Sequence, residues 1–193
     1  MPKRKAPRPR NAAVTRTAIL ASARKAFARA GYDGAGVREI AQGAGVTAML
    51  VNRYFGSKEK LFAEVVADTM DAPIILTPEV LGSAEPGRAI ASALVGLTAA
   101  QATPLDGFLI MLRSASSERA AEIARAEIER HHQKTMTRAL KGKLAPQRAG
   151  VVLAIVAGLQ VMRQMIGLSD LAKADPQALV RILTPIFDAL LAP

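Results

Sequence analysis

The chain has no cysteine and no tryptophan among its 193 residues. That excludes a disulfide framework, a thiolate nucleophile and a cysteine-based zinc cluster. Aromatic residues make up only 4%, and strand-like alternation of β-branched residues is scarce. Long apolar runs are missing too. The longest, residues 149–162, has 14 residues between Arg148 and Arg163, which is too short to span a bilayer and suits a core or interface helix. The basic start is not followed by an apolar stretch of about 7–15 residues, so no secretory signal is expected and the cytoplasm is the expected compartment. Phosphate loop, G-x-S-x-G elbow and H-E-x-x-H are all absent from the sequence, so neither an enzyme nor a cofactor is expected. His131 and His132 are adjacent, about 100° apart on a helix, and cannot share one metal ion; both are expected on a solvated surface, with one reaching a C-terminal pocket as the alternative.

What remains is apolar and helical in pattern. Half of the residues are apolar, alanine and leucine dominate, and apolar positions recur at intervals of three and four. This periodicity predicts an all-α protein, long enough for one or two small domains with a real core.

Charge is segregated along the chain. Residues 1–60 hold 13 Lys/Arg against Asp33, Glu39 and Glu59, a net +10, whereas residues 61–193 hold 13 of each sign and are neutral. A solvated face mixes signs; a block of one sign is the footprint of a polyanionic partner. An anionic membrane would need large apolar anchors beside the basic arm, and residues 1–12 (MPKRKAPRPRNA) offer none. Nucleic acid is the expected partner. The arm itself, with Lys3, Arg4, Lys5, Arg8 and Arg10, is too rich in proline and charge to build a core and is expected to be disordered, serving either as a phosphate or minor-groove contact or as a solubilising tail.

The segment VREIAQGAGVTAMLVNRYFGSKEKLF, residues 37–62, carries the sharpest pattern. Val37, Ile40 and Ala41 share a helical face, Gly45 sits where the chain must turn, Val46 fills the elbow, Thr47 can cap the next helix and Val51 returns to the core. Ala41, Gly45 and Val51 have helix-turn-helix spacing, which leaves the second helix able to enter a major groove. An ordinary helical hairpin fits the same short fragment. Thr47, with its hydroxyl and the N–H groups of the helix start, suits a phosphate.

The continuation narrows the choice. Asn52-Arg53-Tyr54-Phe55-Gly56-Ser57-Lys58-Glu59-Lys60-Leu61-Phe62 resembles the end of the TetR-family DNA-binding domain, and Ile19-Leu20, Ala23, Phe27, Gly31 and Tyr32 match that family's first helix. The likeness runs over residues 15–66. It implies an N-terminal three-helix helix-turn-helix domain followed by a C-terminal helical ligand-binding and dimerisation domain. The function implied is a homodimeric repressor on palindromic double-stranded DNA, released by a small effector. A constitutive or architectural DNA-binding protein is the alternative. By the same resemblance Arg38 occupies a position that reaches a guanine edge, and Arg53, Tyr54 and Lys58 occupy phosphate-contact positions. Asn52 departs from the family's usual tyrosine or histidine and can pair with adenine or bond phosphate. Ala48, Met49 and Leu50 replace residues that are often polar, and thymine methyls are their expected contacts. Phe55 reads as structural.

Further helices are expected at 15–30, 57–70, 87–102, 105–115, 117–141, 146–167 and 176–191, with a Pro/Gly-rich linker from 71 to 87. The domain plan is therefore an arm at 1–12, a DNA-binding domain at 13–70 and an effector and dimerisation domain at 71–193. Leu112-Arg113-Ser114, Met162-Arg163, Gly167-Leu168, Leu171-Ala172 and Asp175-Pro176 look like one subgroup's C-terminal domain. Gly150, Ala154 and Gly158 form a small-residue stripe that allows close helix packing. In the family the last two long helices join a partner's, which makes this stripe a candidate dimer interface; intrachain core is the other reading. Phe108, Met111, Leu112, Met136, Met162, Met165 and Ile166 are candidates to line a pocket for an apolar or amphipathic effector, and each fits plain core as well.

Overall fold

The computed structural model describes residues 9–70, 75, 77–99 and 106–192, and every regular element among them is helical. The all-α expectation holds. The elements are α1 (Pro9–Gly34), α2 (Val37–Gly43), α3 (Ala48–Phe55), α4 (Lys58–Met70), α5 (Pro78–Leu81), α6 (Pro86–Leu97), α7 (Asp106–Ser114) and α8 (Glu118–Ile128). A π-helical segment (Glu129–Gln133) leads into α9 (Lys134–Ala139); α10 (Ala145–Leu159) continues into a second π segment (Gln160–Met165); α11 (Ser169–Ala172) and α12 (Pro176–Leu191) complete the chain. Two compact units result, Met1–Met70 with Leu105–Glu127, and Asp71–Pro104 with Ile128–Pro193. Compactness thus groups residues 105–127 with the N-terminal helices, because α7 packs along α1 and against α4, whereas the boundary expected from sequence lies at residue 70.

In the first unit, Ile19, Ala23 and Phe27 form the α1 stripe and are fully buried. Ile40, Val51, Leu61, Phe62 and Ile110 of the same unit are also buried, each large side chain contributing about 1.5–3 kcal/mol relative to exposure. Phe62 stands edge-on to both Phe27 (5.1 Å between centroids) and Tyr32 (5.0 Å). Arg16–Glu64, Arg24–Asp68 and Arg24–Asp106 pair across the surface of the same unit, where such pairs add little. The α1 helix breaks at Gly31, φ +68°, as its position in the sequence predicts.

In the second unit, α6 and α12 pack closely, since Gly87 lacks a Cβ that would come within 2.9 Å of the Asp188 nitrogen. Ile90, Leu94, Met136, Val152, Leu183 and Phe187 form the core. Asp175 caps α12 by accepting from Gln177 N (3.3 Å) and Ala178 N (3.0 Å), with Pro176 in the first turn. The helix runs on through Pro185. Arg163 is buried with no carboxylate among its hydrogen-bond acceptors in the described residues: Nη1 donates to the Val95 carbonyl (2.6 Å) and Thr98 Oγ1 (2.9 Å), and Nε to the Leu171 carbonyl (3.1 Å). Gln164 donates to the Leu97 carbonyl (3.1 Å). The Val95 and Leu97 carbonyls lie at the end of α6, the negative pole of the helix. Burial pulls the Arg163 pKa down, while the helix end favours its charge.

Several local expectations are corrected. α1 starts at Pro9 rather than Thr15, because proline is pre-set for a first helical turn and the alanines and arginine behind it favour helix. The arm expected through residue 12 is therefore helical from 9 onward, and its residues 1–8 lie outside the described ones. Pro78 and Pro86 begin helices rather than mark only a linker, and α6 ends at Leu97, short of residue 102. The gap expected between the helices at 87–102 and 105–115 lies outside the described residues. His131 and His132 are half-buried rather than surface residues, and burial, with His131 beside it, lowers the His132 pKa. α10 with its π extension is 21 residues long and contains an 18-residue window with a mean hydropathy of 1.3, long and apolar enough to cross a membrane by those measures alone. The 14-residue run is thus embedded in a longer helix that also holds Arg148 and Arg163.

Candidate nucleic-acid interface

The turn between α2 and α3 is built from backbone bonds. Ala44 N donates to the Ile40 carbonyl (3.1 Å), Gly45 N to Gln42 (3.1 Å) and Val46 N to Ala41 (2.9 Å). Gly45 holds φ +67° with open space where a Cβ would stand, so backbone conformation alone demands glycine here. Ile40 and Ala41 are buried behind the turn, and Ser22 of α1 donates to the Ile40 carbonyl (2.8 Å), tying α2 to α1.

Thr47 is the N-cap of α3, its Oγ1 accepting from Leu50 N (3.3 Å). That bond uses one lone pair and leaves the hydroxyl proton to donate outward. Behind it, Val51 and Phe55, one turn apart, are buried. The opposite face is open: Met49 is 81% exposed, Asn52 and Arg53 are exposed, and Ala48, Leu50 and Tyr54 are half-buried. Arg38, on α2, is exposed and has no ion-pair partner among the described residues. By contrast, Arg29 is paired with Glu39 and Arg16 lies over the Phe55 ring at 5.1 Å. Lys58 opens α4, whose first turn is capped by Ser57 Oγ accepting from Lys60 N (3.2 Å). The Lys58 ammonium is half-buried, 4.7 Å from the centre of the Tyr32 ring and 3.5 Å from the Asp33 carbonyl.

A short helix pair with a glycine elbow, a capped second helix and an open outer face is the geometry that fits a major groove. Residues 19–65 match the family model "Bacterial regulatory proteins, tetR family", and residues 84–191 match "Tetracyclin repressor-like, C-terminal domain". The chain belongs to the TetR family. TetR-family proteins are DNA-binding transcriptional repressors. Among solved structures, a TetR-family regulator from Streptomyces coelicolor is 25% identical, covering 97% of this chain and 99% of its own, with a TM-score of 0.61. A transcriptional regulator from Rhodococcus is 26% identical over 91% of this chain and 95% of its own, TM-score 0.62. NalD of Pseudomonas aeruginosa, the secondary repressor of the MexAB-OprM multidrug efflux pump, shares the fold at 22% identity over 94% of this chain and 97% of its own, TM-score 0.64. No curated protein matched.

The other TetR-type positions separate by unit. In the second, Gly150 is half-buried and Ala154 and Gly158 are exposed, and a Cβ added at Gly150 or Gly158 would meet nothing within 4 Å. Large apolar side chains are exposed on the same two long helices, Val151 (47%) on α10 and Ile182 (60%) and Ile186 (42%) on α12. The effector set is divided between the units. Phe108, Met111 and Leu112 lie on α7 in the first, Leu112 exposed; Met136, Met162 and Met165 lie in the second. Met136 is fully buried within the core there, which is the plain-core reading, whereas Met162 is exposed and Met165 half-buried. A groove of about 690 Å³ runs between α1 and α2, lined by Ser22, Lys25, Arg29, Glu39 and Gln42 among others, and holds none of the expected effector residues.

Proposed function

We propose that this TetR-family protein is a cytoplasmic homodimeric repressor of a palindromic operator, released by a small apolar or amphipathic effector. The observation that carries the DNA half is the open face of α3 above a Thr47 cap, flanked by exposed Arg38 and set in the segment that holds the whole net charge. Arg38 reads a guanine edge, where a bidentate guanidinium discriminates best; Met49, Leu50 and Ala48 meet thymine methyls; Asn52 faces an adenine edge or a phosphate. Thr47, Arg53, Tyr54 and Lys58 hold phosphates and so fix the register. Two such heads related by a two-fold axis meet major grooves about one helical turn apart or slightly more. The protein's work in this reading is binding, not catalysis.

The unpartnered apolar surface of α10 and α12 supports the dimer, since a stable dimer buries roughly 1,600 Å² or more in total. The effector enters the C-terminal domain, where Met162 and Met165 remain accessible. A thermal-shift screen of apolar compounds followed by operator titration tests this: a compound at 100 times its dissociation constant stabilises by about 2.7 kcal/mol, and it must also weaken operator binding. Compounds that bind without altering operator affinity would leave a constitutive repressor. Equal affinity for random duplexes would instead favour an architectural role.

A further inference from the structure

The phosphate grip of the reading head has a support outside the helix-turn-helix. Tyr32 N donates to Ser114 Oγ (2.9 Å), Ser117 Oγ donates to Asp33 Oδ1 (3.3 Å), and the Arg113 guanidinium donates to the Ala28 carbonyl. Gly31 allows this approach: its backbone is left-handed, and a Cβ there would press on the Arg113 carbonyl carbon at 2.9 Å. The Tyr32–Asp33 turn is therefore held on one side by residues 113–117. Its other side carries Lys58, whose ammonium lies over the Tyr32 ring and beside the Asp33 carbonyl. Ser114 and Ser117 are themselves buried, 2% and 9% exposed. Phe62 and Phe27 flank the Tyr32 ring, so the main freedom left to this turn is the backbone movement that the two serines restrain.

We infer that Ser114 and Ser117 are positioning residues for DNA binding: through Tyr32 and Asp33 they hold Lys58 in place to meet a phosphate. A lysine on a mobile four-carbon stem must be ordered when it binds; one already laid across an aromatic face has been ordered in advance. The inference rests on the reading of Lys58 as a phosphate contact and adds the residues that set it.

The test uses the full-length protein carrying Ser114→Ala/Ser117→Ala, with Ser117→Ala alone as the milder variant. Lys58 over a tyrosine ring has its ε-methylene protons shifted upfield in the NMR spectrum of the DNA-free protein. The inference predicts that this shift collapses toward the random-coil position in the serine variants while helicity and melting cooperativity persist. On an operator duplex the same variants should bind several-fold more weakly, with a salt slope shallower by up to about one. In a Lys58→Ala background the serine substitutions should then cause no further loss. Retention of the upfield shift in both variants, or losses that add in full to those of Lys58→Ala, would overturn the inference. If Lys58→Ala alone left operator affinity and salt slope unchanged, the phosphate reading of Lys58 would fail instead, and the NMR arm would still decide the positioning.

Discussion

At the scale of single residues, the proposed function divides side chains into those that read and those that hold. Arg38 is exposed without an ion-pair partner among the described residues, and Lys58 is supported by Tyr32 and Asp33. Arg38→Ala should cost about 1–3 kcal/mol of operator binding and relax preference at one base pair of each half-site. Lys58→Ala should weaken all duplexes alike and flatten the salt dependence. Titration of both variants against a panel of operator mutants checks this, and identical behaviour across the panel would refute the division. Arg163 does a different job. Arg163→Ala removes one donor each from the Val95 and Leu171 carbonyls and the Thr98 hydroxyl, and at roughly 1–3 kcal/mol per buried bond lost the effect in a urea titration should be large. Arg163→Lys should recover little, because a compact ammonium cannot reproduce donation from both Nε and Nη1. The proposed reading residues come from the sequence, α3 through its helix-turn-helix spacing and Arg38 through the family resemblance. Arg163 was not legible there, because the Val95 carbonyl and the Thr98 hydroxyl that accept from it lie 68 and 65 residues away at the end of α6 and only folding brings them within reach.

At the scale of elements, the glycines show why motif and packing must be argued separately. Gly45 and Gly31 both have positive φ, but a Cβ finds open space at Gly45 and the Arg113 carbonyl at Gly31. Gly45→Ala should therefore cost about 1–2 kcal/mol, the backbone penalty alone, and Gly31→Ala clearly more; chemical denaturation of the two variants would show the order. The helix-turn-helix was readable because its bonds are local: every turn bond spans five residues or fewer. The π segments at 129–133 and 160–165 were not, since they interrupt stretches whose local pattern is simply helical. Pro9, Pro78 and Pro86 misled in the opposite sense. Each was read as arm or linker, yet each stands in the first turn of a helix, where its missing N–H costs nothing.

At the scale of the molecule, two properties govern the proposed function: the net charge of +10 confined to residues 1–60, read from the sequence, and the apolar surface that the structure leaves on the last long helices. Gly158→Glu places a charge where a Cβ has open space, so the protomer should fold normally while dimerisation weakens. Sedimentation should then shift toward the monomer, with operator affinity falling in parallel; an unchanged dimer would remove this stripe from the interface. The central claim, a two-fold reading head for a palindrome, is tested most directly by selecting duplexes from a random pool with the purified protein and footprinting the winners. The account predicts an enriched inverted repeat with half-sites about one helical turn apart or slightly more, bound by two protomers and lost on Arg38→Ala. A pool that emerges with no enriched sequence, or a single unrepeated site bound by one protomer, would contradict it.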